Sequence, residues 1–344
     1  MALLVFGGSK HDVWLSAIIS VIMGLMGCYV ILTLALRYPA QTLIQYSQQI
    51  VGTWLGKILG LIYICFFIMS AAVAVRDFSE LILNYTIDQV PLSVFIAVMI
   101  VMAAYAIFKG LSTIGRLAEL IVPITFLAII FGLLGNIPNA VFLPSFPLIH
   151  DLKYLISEAM LQLPYFGLCV SLLFLIPMLH EKTGAKKTLL WSFAIAGAVA
   201  ISVAVIVVAV LGPYGTVAIN YPFFLTFQQI TFLPSVSRFD VLFIFVWISI
   251  SFITITLSYF IALTSIQQLF KTKTYRKFII PLGLVIAFIA VYAFPSFHHF
   301  KQFLRLERFG LIAIPLEFII PSIILVISYF KQTHRHQSRG RVHG

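Results

Sequence analysis

Glu317 is a carboxyl set in an apolar run between Pro315 and Pro321. An ionisable side chain inside a membrane-length segment is costly, and so raises a functional question. Proline has no backbone N–H, so Pro321 cannot donate to the carbonyl four residues back, leaving a free acceptor in the same turn as the carboxyl. Such a turn can take a proton or a cation; the alternative is a carboxyl bonded to a neighbouring helix. A second stretch, Leu152 to His180, is an apolar helix interrupted at Pro164 and Gly167, with Tyr165 and Phe166 between them. Proline breaks the backbone ladder and glycine lets the chain unwind. Hydrocarbon tolerates irregular backbone only where protein or a watery cavity covers it. The break is therefore either a ligand site or a kink met by a neighbouring helix.

Other groups carry less chemistry. Arg76, Asp77 and Glu80 lie near one end of an apolar run, Arg76 about 32 Å along a helix from Leu55. Arg76 and Glu80, four apart, can pair on one face, as an interfacial ion pair or a ligand clamp. Arg116 and Glu119 read as a structural pair. Ser249, Ser251, Thr254, Thr256 and Ser258 form a hydroxyl-rich run. Such groups bind helices together, or here offer polar contacts to a small ligand. No HExxH, GxSxG or phosphate-binding glycine loop is present, so an enzyme is the weak hypothesis. Cys28, Cys65 and Cys169 sit in apolar runs without CxxC spacing and read as packing residues, not disulfides or metal ligands. No cofactor is expected.

These residues need helices to hold them in a bilayer. The 344 residues are 61% hydrophobic and 10% charged, with a mean hydropathy of +1.08; soluble domains run near 45–50% and 25%. The chain reads as an all-α polytopic membrane protein, one bundle over 1–330. Residues 331–344 read as a basic, disordered cytoplasmic tail. About twenty apolar residues make a span, which gives nine: 13–36, 55–83, 91–108, 117–136, 154–180, 188–212, 239–269, 278–294 and 309–330. Segment 40–54 reads as an interfacial helix, and 213–236 as a polar-aromatic loop with a short helix of its own. No cleaved signal peptide is evident at the start. Fifteen Lys and Arg fall in the loops on one side and six on the other, with Arg76 inside a helix. The richer side is expected to be cytoplasmic, with the C-terminus. The net charge of +11 comes without nucleic-acid motifs, so the bilayer rather than nucleic acid is the expected partner.

The order of several pieces resembles the permease-like B subunits of spore germinant receptors. These pieces are DVWLS at 12–16, RYPAQTL at 37–43, VGTWLGKILGLIY at 51–63, VRDFSELI at 75–82 and YAIFKGLSTIGRLAELIVP at 105–123. LPYFG at 163–167, SRFD at 237–240 with Trp247 following, and FPS at 294–296 continue the series. The resemblance implies membership of the amino acid–polyamine–organocation superfamily, with a LeuT-like inverted-repeat bundle of ten spans. By that comparison the first span of the ten is missing, and an upstream start encoding about thirty more residues is expected. The resemblance further implies nutrient sensing in the inner spore membrane. The ligand would be an amino acid, held by Pro164, Tyr165, Phe166 and Gly167 with Ser251 and Thr254, and Glu317 would serve as an ion or proton site. Relatives often carry an acid just after the glycine, where this chain has Leu168. Expected partners are a larger membrane subunit and a lipoprotein subunit. An ion-coupled amino-acid transporter and a non-binding scaffold are the other readings.

Overall fold

The computed structural model describes residues 13–85, 90–141, 152–179, 181–230, 239–304 and 306–340. Residues 1–12, the 231–236 part of the polar-aromatic loop and the last four of the tail lie outside the described residues. A chain this apolar must satisfy its backbone groups within each segment, and helix does so. Among the described residues eight helices are long and apolar enough to cross a membrane. The remaining expected span is a pair, Arg276–Tyr292 and Phe297–Leu304, bent by 105°.

In chain order the helices begin with α1 (Val13–Arg37), α2 (Leu43–Ile50), α3 (Thr53–Tyr85), α4 (Leu92–Lys109), α5 (Leu111–Gly135) and α6 (Leu152–Gly167). A short α7 (Leu172–Leu175) follows, then α8 (Ala185–Ala218), α9 (Pro222–Gln228) and α10 (Asp240–Leu269). The chain closes with α11 (Ile279–Tyr292), α12 (Phe297–Leu304), α13 (Leu311–Ile314) and α14 (Ile320–Gly340). The burial pattern suits lipid rather than water. Trp54 (84% exposed), Met26, Leu284 and Phe288 face outward, whereas Arg76, Glu80, Glu158, Gln162 and Glu317 are buried.

Contacts sort the loops into two ends, as the span assignment requires. At one end Arg37 donates to the Ser328 carbonyl (3.2 Å) and stacks over Tyr329. There too Lys331 reaches the Gln49 carbonyl (2.7 Å) and Lys182 the Pro39 carbonyl. At the other end Lys301 bonds Asn220 (2.7 Å) and Asn139 bonds the Gln229 carbonyl (2.9 Å). The short α2 lies within the segment 40–54 expected to be helical, and Leu43, Ile44, Tyr46 and Ile50 bury one face of it.

Several boundaries differ from expectation. The helix expected from 117 starts at Leu111, because Gly110 at φ 102° lets α4 turn directly into α5. The polar-aromatic loop is partly helical from Pro213. Gly212 takes φ 70° and absorbs the kink, and Pro213, with no N–H to lose, starts a further helical stretch. Finally, α14 runs on into the expected tail, its backbone helical to Gly340.

Candidate functional site

The interruption in the fifth span is a change of pitch rather than an unwound segment. Gly167 stays helical at φ −70°, ψ −14°, and the chain then tightens into a 3-10 turn over Leu168–Ser171. After α7 it tightens again at Ile176–Met178. A 3-10 turn keeps i to i+3 bonds, which in hydrocarbon is cheaper than open backbone.

The last span also changes pitch. Pro315–Ile319 is a π-turn, and the Ile320 N–H reaches back five residues to the Pro315 carbonyl. This shift changes which carbonyl Pro321 orphans. In π register the partner that proline fails to supply belongs to Leu316, not to Glu317 as the α spacing implies. Tyr63 of α3 fills the gap, its Oη donating to the Leu316 carbonyl at 2.6 Å. The Glu317 side chain is thus held beside a tethered turn. It is fully buried, and neither carboxyl oxygen has a hydrogen-bond partner.

The two pitch changes meet. A Cβ placed on Gly167 would overlap the Glu317 carboxyl and come within 2.8 Å of the Glu317 Cβ. Gly167 is therefore required for close approach, and its missing side chain is the space the carboxyl occupies. Helix α1 allows the convergence through two further glycines. A Cβ on Gly24 would stand 3.0 Å from that of Phe166, and one on Gly27 would run into the Phe318 ring. Next to Gly27, Cys28 is buried, and both it and Cys169 of the 3-10 turn are free cysteines.

The remaining candidates are spread around this point. Pro164 is buried and Phe166 packs on Phe193 of α8, ring centroids 5.9 Å apart. The Tyr165 hydroxyl is buried without a partner. Asp77 accepts from Tyr221 Oη at 3.2 Å, and Tyr221 packs edge-on against Trp247 of α10. Ser251, one turn along from Trp247 and so on the same face, is buried; its hydroxyl and the Trp247 indole N–H are both unpartnered. Thr254 donates to its own helix at the Ile250 carbonyl (2.8 Å). Thus Gly167 meets Glu317 directly, while the Tyr165 hydroxyl is buried without a partner. Sequence reading missed Tyr63 and Tyr221, for which a tyrosine inside apolar sequence was the available signal.

The Arg76–Glu80 pair forms at 2.6 Å with both side chains buried, and Arg76 also donates to the Ala290 carbonyl at 2.9 Å. It ties α3 to α11 rather than sitting open at an interface. Arg116 and Glu119 are exposed, and no ion pair joins them. No group of three or more His, Cys, Asp or Glu fit to hold a metal occurs among the described residues.

An all-helical bundle with eight helices long and apolar enough to cross a membrane among the described residues, two of its spans changing pitch where they meet, is an all-α polytopic membrane protein. The chain belongs to the family described as "Spore germination protein", which it matches over residues 3–299. It is 25% identical to Spore germination protein KB of Bacillus subtilis, over 98% of this chain and 93% of that relative. It is 24% identical to Spore germination protein YndE of the same organism, over 76% and 73%. With Spore germination protein A2 the identity is 22%, over 82% and 77%.

Proposed function

We propose that this chain is the polytopic subunit of a nutrient germinant receptor, with a LeuT-like bundle, and that an amino-acid-type nutrient binds where α6 changes pitch. It would act in the inner spore membrane beside a larger membrane subunit and a lipoprotein, with its C-terminus on the cytoplasmic side. The observation that carries the reading is the buried Glu317 carboxyl, unpartnered over Gly167 in a spore germination protein. An unpaired buried carboxyl is costly, and a cationic group or a proton is what would satisfy it. An amino acid brings an ammonium for that purpose. Its carboxylate calls for donors, and the Tyr165, Trp247 and Ser251 donors are buried and unpartnered.

The test is Glu317→Gln, which keeps size and removes charge, in spores lacking the native gene. Nutrient-triggered germination is expected to be lost while protein level and nutrient-independent germination stay normal. A normal nutrient response would refute the role of Glu317. An ion-coupled transporter is the second reading, supported by the same carboxyl; uptake of labelled amino acid into vesicles holding the chain would favour it.

A further inference from the structure

A separate groove of about 800 Å³ opens on the outer surface of the bundle between α1 and α8. Its walls are Leu25, Met26, Val30, Leu190, Trp191 and Ala194. Met26 and Trp191 are 68% and 62% exposed, so the groove faces the hydrocarbon. Tyr29, Lys186 and Lys187 also line it. The two lysines open α8, at the bundle end that holds Arg37, Lys182 and Lys331.

Lys186 is held in place. Its ammonium lies 3.8 Å over the Tyr29 ring and donates to Thr33 Oγ1 at 3.0 Å. Thr33 in turn spends its proton on the Tyr29 carbonyl (2.7 Å). An ammonium has three donors; one goes to Thr33 and one faces the Tyr29 ring, so one remains for a ligand, and Lys187 beside it is exposed. A fixed cation at the lip of a lipid-facing apolar groove complements an anionic headgroup with hydrocarbon chains beneath it.

We propose that this groove is a binding site for an anionic phospholipid, its phosphate on Lys186 and Lys187 and an acyl chain along Trp191 and Ala194. The site is independent of the nutrient reading. Basic groups at a membrane surface each attract anionic lipid appreciably, but positive charge alone would not direct the chain to one tryptophan.

The full chain is reconstituted in phosphatidylcholine vesicles carrying a small fraction of brominated phosphatidylglycerol or of brominated phosphatidylcholine. Bromine quenches tryptophan on contact, and subtracting the signal of Trp191→Phe isolates Trp191 from the exposed Trp54. The expected result is Trp191 quenching that prefers phosphatidylglycerol by at least about fivefold, the attraction of a single surface lysine. Lys186→Gln with Lys187→Gln should abolish that preference, and Lys271→Gln with Lys273→Gln should leave it. Equal quenching by the two lipids, or equal loss in both double variants, would overturn the site in favour of ordinary boundary lipid. Trp191 shielded from both lipids would place a protein neighbour in the groove and overturn it too.

Discussion

Replacing Gly167 with alanine is the sharpest perturbation. Gly167 has ordinary helical φ and ψ, so in an open helix alanine would stabilise by roughly 0.5–1 kcal/mol. Here the added methyl overlaps the Glu317 carboxyl. The carboxyl can rotate, but the Glu317 Cβ at 2.8 Å is fixed to its backbone, so the two spans must move apart. Overpacking of this kind costs about 1–3 kcal/mol, and Gly167→Ala is expected to destabilise in spite of its better helix propensity. Glu317→Ala removes the carboxyl and leaves the Cβ contact, so its rescue of Gly167→Ala should be partial, with a coupling of about 1–2 kcal/mol. Unfolding in mixed micelles of the wild type, both single variants and the double variant measures this cycle. Additivity within about 0.5 kcal/mol would show that the two residues do not touch and would refute the convergence of the two breaks.

Other outcomes follow from neighbouring contacts. Tyr63→Phe leaves the Leu316 carbonyl buried without a donor and should cost about 1–3 kcal/mol in the same unfolding assay. Arg76→Met strands the buried Glu80 carboxylate, and a loss of about 3–5 kcal/mol is expected, seen as loss of protein from the membrane; normal protein level would contradict the buried pair. Thr254→Val removes a bond made only within its own helix and should change stability by less than about 1 kcal/mol, with the germination response retained. Cysteines placed at Lys186 and Gly215 should react with an impermeant maleimide from opposite faces, and reaction from one face would contradict the span order.

The spans were legible because hydrocarbon imposes one simple rule of length and polarity; eight of the nine expected runs fall on helices long and apolar enough to cross, and the ninth falls on the first arm of the bent pair. Glu317 and the Pro164–Gly167 break were legible as local exceptions to that rule. Their apposition was not, since nothing in the periodicity of α6 says which residue 150 positions later will face Gly167. The π-turn escaped for a related reason: two prolines six apart signal a disturbed ladder without saying in which direction the register slips. The short helix expected within 213–236 is present as α9, but the further helical stretch from Pro213 to Ala218 was not legible, because proline is ambiguous between ending a helix and starting one and the positive φ at Gly212 decides it. Residue type alone also could not show that Tyr63 would satisfy the Leu316 carbonyl.

The π-turn at Pro315–Ile319 works as an index mark for the helix that follows. It holds one residue more than an α turn would, and one residue amounts to about 100° of helical rotation. Everything beyond it, including the Ser328 carbonyl under Arg37, Tyr329 beneath the same guanidinium and Lys331 at the end of α2, is set to its azimuth by that extra residue. Removing Phe318 would let the turn relax to α pitch and would swing these anchors off their partners together, although the deletion lies about fifteen ångströms away along the axis. Pitch at the buried carboxyl and grip at the membrane surface are thus geared to each other through a single rigid shaft.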